Sequence, residues 1–177
     1  MKDNEESKPT NKYFEWWESE MQIQEKLKDK IKALLSKNND ALGRVLKYHL
    51  ILEMYLNLAI EFKFDIKVEK AKLKFFQKLE ILQSDFYSVC INFNKGIKAV
   101  NAIRNKFAHK IDAEITKNDM KDILSYTAST NLLLTGTQDN YVKHIELFVL
   151  FICFRISTEL RGRKGGNDFL KKIFEEE

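Results

Sequence analysis

Apolar positions recur at helical spacing along most of this chain, separated by short polar breaks, and the pattern predicts an all-α protein. Over residues 12–36, Phe14, Trp17, Met21, Ile31 and Leu34 repeat with Lys and Glu between them, which predicts a long amphipathic N-terminal helix. Lys37, Asn38, Asn39 and Asp40 then form a break and an N-cap. Residues 41–64 are apolar nearly all round, with Leu42, Val45, Leu46, Leu52, Leu56 and Ile60 on one side and Ile51, Met54, Tyr55 and Leu58 on the other. This stretch is expected to be the central helix. Residues 68–82 predict a third helix, with Phe75, Phe76, Leu79 and Leu82 on one side, and 84–93 is a weaker stretch. Asn94 is expected to cap a helix over 95–108, and Lys117, Asn118 and Asp119 to cap a shorter one ending near residue 127. The polar run 135–139 separates that helix from a last long one over 140–160. Arg-Gly-Arg-Lys-Gly-Gly at 161–166 ends the domain, and 168–177 reads as a short accessory helix.

A length of 177 residues fits one domain with tails. The expected division is a disordered polar tail over 1–11, one helical domain over 12–161 and an extension over 162–177. Proline occurs once, at Pro9, and glycine six times, so little interrupts regular structure. Charged residues make up 32% with the signs mixed, and the net charge of +4 is a mild basic excess that permits nucleic acid without demanding it. Cys90 and Cys153 have neither zinc-site spacing nor the density of a disulfide framework, which favours reduced thiols in a cytoplasm. No apolar signal core appears near the N-terminus, and the strongest apolar run, 147–154, is too short to span a bilayer, so no membrane partner is expected.

The most informative chemistry is Ile-Arg-Asn-Lys-Phe-Ala-His at 103–109. Arg104 supplies a permanent cation that grips phosphate oxygens at two points, and His109 supplies the one side chain whose ordinary pKa lies near neutrality. On a helix from residue 95, Ile97, Val100, Ile103 and Phe107 form the buried stripe, Arg104 lies at its edge, and Asn101, Asn105 and His109 follow round a polar arc. Unwinding of the last turn would bring Arg104 and His109 together. Asn101 and Asn105 are poor interior helix formers, so each calls for a hydrogen-bonding reason. The plainer alternative is that His109 and Lys110 satisfy terminal carbonyls while Arg104 lies over apolar neighbours.

Arg104, Asn105 and His109 resemble the signature of the HEPN superfamily, an arginine followed by a polar residue and, four to six residues on, a histidine, in an all-helical domain. Upstream, Leu-Gly-Arg-Val-Leu-Lys-Tyr-His-Leu-Ile-Leu-Glu at 42–53 and Leu-Lys-Phe-Phe-Gln-Lys-Leu-Glu-Ile-Leu at 73–82 resemble the two helices that precede this motif in mannitol-repressor-like members. The likeness covers residues 40–155. It implies an up-and-down helical bundle with an extra N-terminal helix, and a metal-independent endoribonuclease of a toxin-antitoxin or phage-defence system. RNA would be the substrate, a homodimer would line the cleft, and an antitoxin protein would be the partner. Arg104 would hold the scissile phosphate, His109 would move protons and Asn105 would bind phosphate. Some of these toxins carry a modifiable tyrosine two positions after the histidine, where this chain has Ile111. Other family members are catalytically silent dimerisation or regulatory modules, and that is the alternative here.

His49 and Glu53 lie one turn apart on an otherwise apolar helix, and Glu53 is expected either to orient Arg104 or His109 across the bundle or to bond locally to His49. Lys67, Lys70, Lys74 and Lys78 share one arc and, with Arg161, Arg163 and Lys164, are candidates to follow an RNA backbone or simply to face solvent. Tyr13, Trp16 and Trp17 suit packing better than base stacking, and His144 reads as structural. No carboxylate pairing suggests a metal centre, and no cofactor is expected.

Overall fold

The computed structural model of the protein describes residues 41–84, 87–110, 113–129 and 141–175 together with Glu25 and Asp29, apart from the side chains of residues 69, 70, 129, 174 and 175. The chain divides into two compact units, Met1–Lys37 and Asn38–Glu177. The boundary therefore falls inside the single domain expected over 12–161, and the C-terminal segment belongs to the second unit. In the first unit Glu25 and Asp29 are helical and exposed. The expected tail over 1–11, Tyr13, Trp16 and Trp17, the break over 37–40, Ile111 and the run 135–139 lie outside the described residues.

The second unit is an all-α bundle of eight described helices: α1 (Ala41–Phe64), α2 (Val68–Ala71), α3 (Phe75–Ser84), α4 (Ser88–Asn92), α5 (Asn94–His109), α6 (Lys117–Ser129), α7 (Tyr141–Arg161) and α8 (Gly166–Glu175). Its backbone is the pairing of the two longest helices, α1 and α7. On α7, Ile145, Phe148, Val149, Ile152 and Ile156 fall at steps of three and four and are all buried; Leu52, Leu56, Ala59 and Ile60 do the same on α1. Each of the Leu, Ile, Val and Phe side chains among them contributes about 1.5–3 kcal/mol on leaving water. A polar clamp crosses the pair. Glu146 accepts from the Tyr48 hydroxyl at 2.9 Å and from Arg44 at 3.1 Å, and burial pushes the Tyr48 phenol up to about 12.

The third predicted helix is not continuous. It ends at Ala71, passes through Lys72 in a left-handed conformation (φ 49°) and restarts at Phe75. The Gln77 side chain accepts the Lys74 backbone N–H at 2.8 Å, and Glu61 accepts that of Val68 at 2.8 Å. These caps stabilise two short helices where the apolar spacing alone reads as one. The lysine arc is split accordingly. Lys67 and Lys74 are exposed, Lys78 is buried, and the Lys70 side chain lies outside the described residues. Lys78 is thus removed from the candidate RNA-contacting face.

Short α4 gets its N-terminus capped by a distant carboxylate: Glu159 of α7 accepts from the Val89 and Ser88 N–H groups at 2.9 and 3.1 Å and from the Ser88 hydroxyl. The C-terminal helix α8 is tied to the body by the Phe62–Phe169 ring contact at 5.3 Å and by buried Leu170. Gly165, at φ +81°, makes the turn into it, and a Cβ on Gly166 would lie 1.9 Å from the Leu160 carbonyl oxygen. Among the described residues no helix is long and apolar enough to cross a membrane.

Candidate functional site on helix α5

Helix α5 buries Ile97, Val100 and Ile103 as the spacing requires, whereas Phe107 is only half-buried. Its N-terminus approaches α7 so closely that a Cβ on Gly96 would sit 2.4 Å from Cζ of Phe148. Asn94 is the first helical residue rather than the cap; the cap position is Phe93, which makes no side-chain capping bond. At the other end Lys106 donates to Asp119 at 2.7 Å, and Asp119 also accepts from the Thr116 N–H and hydroxyl, both at 2.8 Å. The Asp119 N–H donates back to the Thr116 hydroxyl, so Thr116 and Asp119 form the reciprocal cap of α6. Burial works against the Asp119 charge, but these bonds outweigh it and hold its carboxyl below the ordinary range.

Arg104 is half-buried, and its guanidinium donates to Asn105 Oδ1 at 3.0 Å. His109 is exposed as the last residue of α5. The last turn does not unwind: Lys110 N–H still donates to the Lys106 carbonyl at 3.1 Å. Five regular helical steps separate Arg104 and His109 by about 140° round the helix and about 7.5 Å along it. Within one chain the two groups therefore point different ways, and the unwinding that would bring them closer does not occur.

Asn101 is buried, and its reason is clear. Its Oδ1 lies 2.8 Å from Nε2 of His49, 52 positions upstream on α1. His49 is itself buried and packs against Phe75 of α3 with ring centroids 4.8 Å apart. On its other side Nδ1 stands 3.9 Å from Glu53 Oε2, and Glu53 Oε1 accepts from buried Lys78 at 2.6 Å. The direct reach of Glu53 to Arg104 or His109 is thus not what forms. Glu53 is drawn to Lys78, because a buried ammonium needs a counter-charge, and its connection to the arc runs through His49 and Asn101. Burial dominates the His49 ring and holds its pKa below 6.5; Asn101 and Glu53 oppose that, while Arg104 and Lys78 reinforce it.

The structure therefore brings Arg104, Asn105, Asn101, His49, Glu53 and Lys78 into one neighbourhood spanning α1, α3 and α5, and leaves His109 beyond it at the helix end. The pairing of His49 with Asn101 was missed by sequence reasoning, although both residues stood out as polar groups on helical faces that wanted partners. Chemically, the arc offers a fixed guanidinium with carboxamides beside it, a set suited to phosphate oxygens, and a solvent-accessible imidazole suited to proton transfer. Among the described residues, no three His, Cys, Asp or Glu side chains are grouped to hold a metal ion. Comparisons with protein-family models, with curated proteins and with solved structures find no match to this chain.

Proposed function

We propose that this chain is a metal-independent endoribonuclease of the HEPN type, working as a homodimer in a toxin or phage-defence setting. The observation that carries this reading is the arc itself: Arg104 braced by Asn105 and accompanied by Asn101, with His109 open to solvent on the same helix. Arg104 holds the phosphate and the charge that grows on it as the ribose 2′-oxygen attacks phosphorus. His109 takes the 2′-hydroxyl proton or returns one to the departing 5′-oxygen. Because one imidazole cannot take one proton and give another in the same step, and because Arg104 and His109 diverge in a single chain, a two-fold partner supplies the missing half. Leu50 and Met54, 62% and 37% exposed beside His49 and Glu53 on α1, give a second copy apolar surface to cover. Lys67 and Lys74 remain as candidates for backbone contacts.

The divergence of Arg104 and His109 within one chain also favours a second reading, a non-catalytic HEPN-like module that dimerises or regulates. One experiment separates the two. Purified His109→Ala and Arg104→Lys proteins are assayed for RNA cleavage in chelator, with oligomeric state measured alongside. The nuclease reading expects wild-type cleavage, its loss in both variants and unchanged assembly. Arg104→Lys is the sharper probe, since charge survives and two-point binding does not. Wild-type protein that leaves RNA intact, or variants that cut as well as it does, would remove the nuclease reading.

A further inference from the structure

His49 on α1 contacts both neighbouring helices, Phe75 of α3 through its ring face and Asn101 of α5 through Nε2, and nothing in the proposed reaction uses it. The oxygen of Asn101 can only accept, so the 2.8 Å contact requires His49 Nε2 to carry the proton and donate it. The neutral ring then has its lone pair on Nδ1, facing Glu53 Oε2 at 3.9 Å, too far for a hydrogen bond. Lys78 takes the other Glu53 oxygen at 2.6 Å and compensates the carboxylate, so that Glu53 does not draw a second proton onto the ring. Burial of His49 and the nearby Arg104 charge act in the same direction.

The consequence falls on Asn101. With its oxygen committed inside the bundle, its carboxamide has only N–H donors left to offer. Asn101 precedes Arg104 by three positions, so the two are neighbours on the helix surface. A carboxamide free to flip would present oxygen as readily as nitrogen, and oxygen opposes an anion. The clamp from α1 removes that orientation.

We propose that His49 is a positioning residue for the phosphate site: by donating to Asn101 Oδ1 it fixes that amide, only 5% exposed, so that its oxygen cannot turn toward the anion Arg104 binds and its N–H end remains the electropositive side beside Arg104. The inference rests on the nuclease reading of the arc, and it adds an element on a different helix that acts without charge and without touching RNA.

The test is a set of His49 variants assayed for cleavage of a single-stranded oligoribonucleotide. His49→Phe keeps a ring against Phe75 but loses the donor; His49→Gln places an amide N–H where Nε2 was. His49→Phe is expected to lower kcat/KM about 10- to 100-fold, the scale of a misplaced binding group. The slope of log affinity against log salt should not change, because no cation is lost. His49→Gln should recover most of the activity. In an Asn101→Leu background, His49→Phe should add no further loss, since it acts through the group already removed. Equal activity of His49→Phe and wild type, no recovery by His49→Gln despite a native melting curve, or additive losses in the double variant would each overturn the proposal while wild-type cleavage stands. Wild-type protein that cleaves nothing fails differently, taking the nuclease reading and this inference together. If His49→Phe does not fold, His49→Ala takes its place in both backgrounds, with the same outcomes expected and the same results overturning the proposal.

Discussion

Replacing Gly96 by alanine adds one methyl group where α5 passes over Phe148. That methyl would lie 2.4 Å from Cζ, 2.8 Å from Cε2 and 3.1 Å from Cε1 of the ring. Ordinary carbon contacts need about 3.5 Å or more, so either the ring or the helix must move by about 1 Å. The ring has little freedom to yield: Phe148 is 1% exposed and faces Tyr126 and Phe93 with centroids at 5.9 and 6.5 Å. With the ring confined in this way the overpacking costs about 2–3 kcal/mol, the upper part of the usual range, and the better helix propensity of alanine returns about 1 kcal/mol. The net destabilisation is about 1–2 kcal/mol. For a unit of about 140 residues, at about 2.1 cal/mol/K per residue, that is a fall in Tm of about 3–7 °C. Differential scanning calorimetry of Gly96→Ala, Phe148→Leu and the double variant measures it. The double variant should lose less than the two single losses combined, because leucine vacates the space the methyl needs. A Tm for Gly96→Ala at or above that of wild type would refute the close approach on which the placement of α5 depends.

Lys78→Ala strands the Glu53 carboxylate and should destabilise the fold by about 1–3 kcal/mol, less than for a fully buried pair because the Glu53 side chain is 26% exposed. Lys78→Met combined with Glu53→Leu should return most of that in urea melts, and an unaltered midpoint for Lys78→Ala would show the pair to be idle. The His49 ring, held below 6.5 mainly by burial, binds a proton more readily in the unfolded chain than in the folded one. Its contribution is therefore complete above pH 6.5 and lost as pH falls from there toward its lowered folded value, so His49→Phe should flatten the stability profile across that window. An unchanged slope would contradict a buried neutral ring. Cys90, whose thiol is pushed up to about 12 by burial, and Cys153, raised for the same reason, should resist iodoacetamide at pH 8 in the native protein and react on unfolding. Rapid native labelling would place either thiol outside the core.

Helical class was legible because it depends on local spacing. The stripe Ile145, Phe148, Val149, Ile152 and Ile156 on α7 and the stripe Ile97, Val100 and Ile103 on α5 follow from 3.6-residue periodicity, and both are buried as the pattern requires. Arg104 and His109 were legible as candidates for a similar reason: the chemistry open to a guanidinium or an imidazole belongs to the residue type. Segment breaks set by caps were harder. The restart at Phe75 depends on the Gln77 bond to the Lys74 N–H, and the start of α4 depends on Glu159, 70 positions away. Spacing carries no record of either.

By itself, then, the sequence determined which faces are apolar, which residues are ionisable and which polar residues sit where helices prefer apolar ones. Tertiary structure alone decided which of those polar residues meet. Lys78 reads as one more lysine of a solvated arc until α3 turns it toward Glu53, and Asn101 is an ill-suited helix residue until α1 brings His49 to it. A buried polar group must find a partner wherever the fold places one, and contacts between positions 25 or 52 residues apart are fixed by helix packing, a property of no single segment.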